Sequence, residues 1–263
     1  MDNVAGFTDT ELMICAAARL LEDRKTVFVG WGIPQVVALL AEKLYAPNLV
    51  QVFEFGAIGP QSLTPFVRGT MGGPSNIYRS LQWTNMNWAF SYAATGYLDY
   101  GMIGALQVDA YGNVNSTLLG GTYDRPGRRF PGSGGGNEVA SLCWKTIVVL
   151  KHEPRRFVQR LDFMTSPGYL TGPRARERAG LPRGTGPYRV VTSQAVFGFD
   201  EETKHMLLLG ALRGLAKDQV IRGMSFQPMV AEKVEIVEPP TQEELRVLRE
   251  EIDPARMIIG RPA

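Results

Sequence analysis

Histidine and cysteine are scarce in this chain of 263 residues, with two of each. His152 and His205 stand in separate contexts without ligand spacing, so no metal site is expected. There is no HExxH zinc helix, no GxSxG nucleophile elbow and no GxxxxGK[ST] phosphate loop, which removes support from metalloprotease, serine hydrolase and nucleoside-triphosphatase readings. The cluster GSGGGN misses the dinucleotide pattern GxGxxG because Asn137 stands in the last glycine's place. Cys15 and Cys143 lie in apolar stretches without CxxC spacing and read as reduced core thiols. Long apolar runs are missing too; none approaches the ~18 residues of a membrane span. The start MDNVAGFTDTELM lacks the basic-then-apolar order of a secretory signal. Together these features predict a cytoplasmic protein. Nor is there a strong charge of one sign: 28 basic against 26 acidic residues leave a net +2. That balance argues against nucleic acid as the main partner, although it suits an anionic small molecule.

What is present is a regular alternation of helix and strand signals. Thr8 with Glu11 three residues on forms a capping box ahead of LMICAAARLL. TVFVG (26–30) reads as a strand, followed by the turn GWG and a helix IPQVVALLAEKLY opened by Pro34. Asn48 then precedes a second strand, LVQVFEF (49–55). Strand, helix and strand within ~30 residues is the βαβ unit of a parallel sheet. Further on, residues 86–98 predict a helix and 102–108 (MIGALQV) a strand followed by the turn DAYGN. The glycine cluster PGSGGGN (131–137) leads through EVASLCW to a strand KTIVVLK (145–151). Residues 165–188 are rich in Pro, Gly and Arg, YRVVTS with AVFGFD predicts a hairpin, and TQEELRVLREEI has helical periodicity. The expectation is one α/β domain over residues 1–263, a single open, mostly parallel sheet flanked by helices.

Three features are candidates for chemistry. Glu54 ends an apolar strand, and open α/β sheets hold their ligand crevices at the carboxyl ends of strands. The bland alternative is a strand-end glutamate turned to solvent or paired with an arginine. Gly30 and Gly32 in GWGIP would let backbone approach a ligand at a helix amino terminus, or form an ordinary turn. Gly134, Gly135 and Gly136 present N–H groups without side chains, as an oxyanion hole requires, or form a flexible surface loop. The arginines of 125–129 and 155–160 can meet phosphates or lie on a solvated face.

Taken together, these stretches resemble the β subunit of family I CoA-transferases, of the glutaconate CoA-transferase type. The resemblance is carried by GWGIP, FEFG, ALQVDAYGNVNST (105–117), PGSGGGNEVAS (131–141), KHEPRRF (151–157), DFMTSPGYLTGPRARERAGLP (162–182) and REEIDP (249–254). It implies the CoA-transferase fold, with Glu54 as a nucleophile that becomes a glutamyl-CoA thioester and the glycine loop as donor to the thioester oxygen. It also implies CoA as a substrate moiety with no other cofactor, and a homologous α subunit that completes the active site at the interface.

Phe55 follows Glu54 where related chains often carry a small or polar residue, and 57–100 matches less clearly. Its aromatics, Phe66, Tyr78, Trp83, Trp88, Phe90 and Tyr92, are expected in the core and the subunit interface, some of them lining an acyl pocket. Two other readings keep the sequence: a CoA-ester decarboxylase or hydrolase with Glu54 as general base, and a non-catalytic CoA-holding subunit.

Overall fold

Apolar strands buried on both faces send alternate side chains into two different cores, and that alternation organises this chain. In the computed structural model, which describes residues 6–65 and 72–260, ten strands form one sheet. Its centre is β1 (Thr26–Val29), flanked by β2 (Val50–Phe53) and, beyond two short strands β3 (Ala57–Ile58) and β4 (Gln82–Trp83), by β5 (Tyr100–Gly104). The chain then leaves the sheet for two ribbons, β6 (Gln107–Val108) with β7 (Val114–Asn115) and β8 (Leu118–Gly121) with β9 (Pro126–Arg129). It returns as β10 (Lys145–Val149), β11 (Pro187–Val191), β12 (Ala195–Phe199), β13 (Met206–Leu212) and β14 (Met229–Val237). The spatial order is β14-β13-β12-β11-β10-β5-β1-β2-β3-β4. The five central strands β2-β1-β5-β10-β11 are all parallel. Antiparallel pairings occur only towards the ends of the sheet.

Helices cover both faces. Val27 and Val29 pack with α1 (Asp9–Ala18) and α2 (Ile33–Leu44) in one core. Phe28 points the other way, towards α3 (Met86–Ala94) and α4 (Gly136–Leu142). Cys15 and Cys143 are buried, one in each core, with no disulfide. Burial pushes the Cys143 thiol up to about 12.

The βαβ unit and the β11–β12 hairpin form as expected. Two expectations need correction. The strand expected over 102–108 is two: β5 stops at Gly104 and β6 starts at Gln107, because Leu106 N–H turns to Asn115 O at 2.9 Å and the chain joins the β6–β7 ribbon. The helix expected over 86–98 ends at Ala94, with the Thr95 N–H bonded to Ser91 O. The helical pattern at 241–252 is present as Gln242–Arg246 continuing in π-helical turns to Ile252.

Glu11 does more than cap. Its carboxylate accepts from Thr8 N–H at 2.7 Å, is fully buried, and holds Arg249 at 2.6 Å across 238 residues of sequence. Burial alone would raise its pKa; the Arg249 hydrogen bonds and the Thr8 N–H overcome this and hold it below the usual 4.5. A depressed carboxylate stabilises the fold above its ordinary range and loses that contribution as pH falls through the depressed value. Arg249→Ala is therefore expected to destabilise by about 3 kcal/mol at pH 7 and to regain part of the loss as the pH is lowered towards the ordinary glutamate range and Glu11 protonates. Urea denaturation at pH 7 and near pH 4.5 measures both.

Candidate active site

The strand β2 ends at Phe53, and the chain reverses at once: Gly56 N–H bonds back to Phe53 O at 2.9 Å. Gly56 has φ +111, and a Cβ there would lie 2.4 Å from Thr84 O, so this turn requires glycine. The turn presents Glu54, half-buried, at the carboxyl end of the strand. Strand register sets Val29 beside both Phe53 and Met102. Gly30, Glu54 and Ile103 therefore follow at neighbouring carboxyl ends of three parallel strands, where a crevice was expected.

The loop PGSGGGN lies directly against the glutamate. A Cβ on Gly135 would stand 3.2 Å from the Glu54 carboxyl carbon and 2.6 Å from the Phe90 ring. Gly136 N–H is committed to Ser133 O at 2.8 Å, closing a turn. The amides of Gly134 and Gly135 donate no hydrogen bond among the described residues, which narrows the three glycines to two free donors. Neutral groups brace the loop. Ser116 Oγ donates to Gly132 O at 3.0 Å, Gly132 N–H returns to Ser116 O at 3.3 Å, and Asn137 Nδ2 donates to Thr165 O at 2.9 Å. Thr165 Oγ1 in turn meets Thr117 Oγ1 at 2.7 Å and accepts from Ser116 N–H at 2.9 Å. Asn137, visible in the sequence only as a broken glycine pattern, is one of these braces.

Two cavities meet at Glu54. An inner one of ≈ 240 Å³ is lined by Phe28, Trp31, Met102, Ile103, Ser116 and Ser166, among others. An outer one of ≈ 590 Å³ runs along α3, with Met86, Phe90, Ser91, Glu138 and Leu142 in its walls. Glu54, Gly134 and Gly135 border both. Among the described residues no arginine, lysine or hydrogen-bond donor pairs with the Glu54 carboxylate. Among the described residues the ion-paired alternative considered from the sequence is thus not found, while a half-buried side chain is still compatible with the solvent-facing one.

Gly30 and Gly136 also line the inner cavity. Gly32 does not; with φ +85 it caps α2, and its carbonyl accepts from Gln35 and Val36 N–H. Trp31, between the two glycines, faces the cavity instead. Sequence reasoning named neither Trp31 nor Phe28, Ser116 or Ser166 as site residues, although all but Phe28 fall inside the stretches quoted for the family resemblance. The aromatics of 57–100 divide between the interior and the surface. Phe90 stacks on Phe28 at 5.1 Å and lines the outer cavity, whereas Tyr78 and Trp83 are exposed, as is Trp88 on α3, which buries only Ala89 and Ala93. Phe66 lies outside the described residues. His152 lines neither cavity: its Nε2 lies 2.9 Å from Val220 O, its Nδ1 3.1 Å from Thr192 Oγ1, and its ring packs on Phe157 and Phe197. Burial lowers its pKa.

Comparison with known proteins identifies the family and the fold. The family described as Coenzyme A transferase matches residues 10–223. The chain is 34% identical to the B subunit of the glutaconate CoA-transferase of Acidaminococcus fermentans, over 100% of this chain and 98% of that one. The crystal structure of that glutaconate coenzyme A-transferase superposes with a TM-score of 0.89 at 32% identity, covering 97% of this chain and 98% of the other. Identity to the B subunit of the 3-oxoadipate CoA-transferase of Pseudomonas knackmussii is 32%, covering 94% of each chain. It is 28% to the cholesterol ring-cleaving hydrolase IpdB subunit of Mycobacterium tuberculosis, over 94% of this chain and 95% of that one.

The contact at Gly135 gives a structural test. In Gly135→Ala the new methyl group must displace Phe90 and press on the Glu54 carboxyl, at a cost of roughly 1–3 kcal/mol. Gly134→Ala has open space around it and strains only its own backbone. Crystal structures and thermal melts of the two variants are expected to show moved Phe90 and Glu54 side chains in the first alone.

Proposed function

The chain belongs to the coenzyme A transferase family as a β-type subunit of a heteromeric enzyme, and from that premise we propose that Glu54 carries CoA between an acyl-CoA and a free carboxylic acid. The Glu54 carboxylate attacks the thioester carbonyl, the C–S bond breaks, and CoA leaves as thiolate from an acyl-glutamyl anhydride. The thiolate attacks the glutamyl carbonyl, forming a glutamyl-CoA thioester and releasing the first acid as carboxylate. The acceptor acid then runs both steps in reverse. Each step exchanges one anion for another, so no proton is gained or lost and no histidine is needed. Splitting the exchange into covalent steps beside fixed donors is nucleophilic catalysis, and the amides of Gly134 and Gly135 are the donors we assign to the developing oxyanion.

The observation that carries this reading is the Glu54 carboxylate, without a partner among the described residues, set against glycine backbone where two cavities meet. A half-buried carboxylate with no partner among the described residues is available to a ligand in either cavity. The partner we propose is a homologous α subunit that closes the site over Glu54. Its support is the exposure of large apolar side chains: Trp31 and Met86 in the cavity walls at Glu54, and Leu81, Trp83 and Trp88 in the segment 81–88 that runs through β4 into α3. Exposed patches of this kind mark interfaces. A cytoplasmic setting suits the two buried free thiols.

The test uses the chain co-expressed with its α partner. The complex is incubated with a panel of acyl-CoAs, reduced with borohydride and mapped by mass. Modification confined to Glu54, together with CoA transfer to an added free acid, is the expected result. Glu54→Gln is expected to lower transfer by about 10⁴ or more. Consumption of acyl-CoA with no modification and no transfer would instead assign Glu54 the role of general base in hydrolysis or decarboxylation.

A further inference from the structure

Three serines line the inner cavity, Ser116, Ser133 and Ser166, and the hydroxyls of two are committed to the glycine loop. Ser116 Oγ donates to Gly132 O at 3.0 Å and Ser133 Oγ to Gly134 O at 2.7 Å. Ser166 is different. It is buried, with 2% of its surface exposed, yet its hydroxyl has no hydrogen-bond partner among the described residues. A buried hydroxyl left without a partner is unfavourable. In a cavity wall, an oxygen of a bound ligand can supply the missing bond.

The backbone holds that hydroxyl in place. Ser166 N–H donates to Val114 O at 3.0 Å, and Ser166 O accepts from Val114 N–H at 2.9 Å. The preceding residue, Thr165, belongs to the brace of the glycine loop through Thr117 Oγ1 and the Asn137 side-chain amide. Pro167 follows with its fixed φ. A donor fixed in this way has little freedom left to lose when a ligand arrives.

Location decides what it meets. Ser166 borders the inner cavity and not the outer one. Its Oγ lies 3.5 Å from where a Cβ on Gly136 would stand, and the Gly136 N–H is already bonded to Ser133 O. The Glu54 carboxyl instead adjoins Gly135, and Glu54, Gly134 and Gly135 border both cavities. The hydroxyl is thus on the inner side, apart from the two amides assigned to the oxyanion. Around it Phe28, Met102, Ile103 and Val139 are apolar, and among the described residues no arginine, lysine or histidine lines this cavity. A second carboxylate held here would face Glu54 with no cation from this chain. A neutral oxygen meets no such repulsion.

We propose that Ser166 is a specificity-determining residue that donates to a neutral oxygen, hydroxyl or keto, on an acyl chain bound in the inner cavity. This rests on the transferase reading of Glu54 and adds the substrate class. The favoured chains are short and carry one such oxygen, ahead of unsubstituted chains and of chains that end in a second carboxylate.

The experiment uses the complex with the α partner, native or carrying Ser166→Ala or Ser166→Thr. The alanine variant breaks no side-chain hydrogen bond among the described residues, so its thermal melt is expected to match that of the native complex. Transfer is measured with butyryl-CoA, its 3-hydroxy, 4-hydroxy and 3-oxo derivatives, and succinyl-CoA. Calorimetry follows binding of the corresponding CoA thioethers, which cannot acylate Glu54. The expected result is a kcat/KM preference for an oxygen-bearing chain over butyryl-CoA that falls at least tenfold in Ser166→Ala. Ser166→Thr, which keeps the hydroxyl, is expected to retain it. Equal losses for plain and oxygen-bearing chains, or an unchanged preference, would overturn the assignment. A preference for succinyl-CoA that Ser166→Ala abolishes would overturn the neutral-oxygen class. A Ser166-dependent preference among the thioethers, in a complex that transfers no CoA, would leave the role of Ser166 standing and bring down the transferase reading.

Discussion

Everything at the site depends on a place with no room for a side chain. At Gly135 the loop backbone, the Glu54 carboxyl carbon and the Phe90 ring meet so closely that a Cβ would stand 2.6 Å from the ring and 3.2 Å from the carboxyl carbon. Two further close approaches hold that meeting in position. A Cβ on Gly101 would be 2.4 Å from Val139 Cγ1, so α4 sits hard against β5. One on Gly30 would be 2.7 Å from Met102 O, where β1 and β5 end side by side. The depth of α4 against the sheet fixes where its first residues lie, and those residues adjoin the glycines over Glu54. Interiors at crystal-like density transmit such constraints without slack.

The parts of this arrangement that were legible in the sequence are the local ones. The β1–α2–β2 unit could be read because apolar period, Pro34 and the glycine turn all act within a few residues. Glu54 could be singled out because a carboxylate at the end of a buried strand is costly without a purpose. What was not legible depends on distant partners. The break between β5 and β6 is imposed by Asn115, and the second role of Glu11 by Arg249 near the other end of the chain. Which glycine amides stay free is decided by the Ser133 carbonyl, which spacing cannot reveal. The aromatics of 57–100 could be divided between core and interface only by the structure, because composition does not say which face a side chain takes; Phe90 packs on Phe28 while Trp83 and Trp88 stay exposed. Their exposure fits a surface that another subunit covers.

The bracing of the glycine loop is made from hydroxyls, amides and backbone: Ser116, Thr117, Thr165 and Asn137. None of these groups titrates in the neutral range, so the bracing of the loop does not depend on a charged side chain. The charged clamps, Glu11 with Arg249 and Glu244 with Arg19, join the first helix to the C-terminal segment. Electrostatic support for the fold and neutral support for the site are thereby kept in separate parts of the molecule.

The position of Glu54 on a wall shared by two cavities has a kinetic meaning. Under the proposed exchange, a side chain that borders both cavities can meet one acid in the first and its successor in the second without turning. One compartment can drain and refill while the other keeps its occupant.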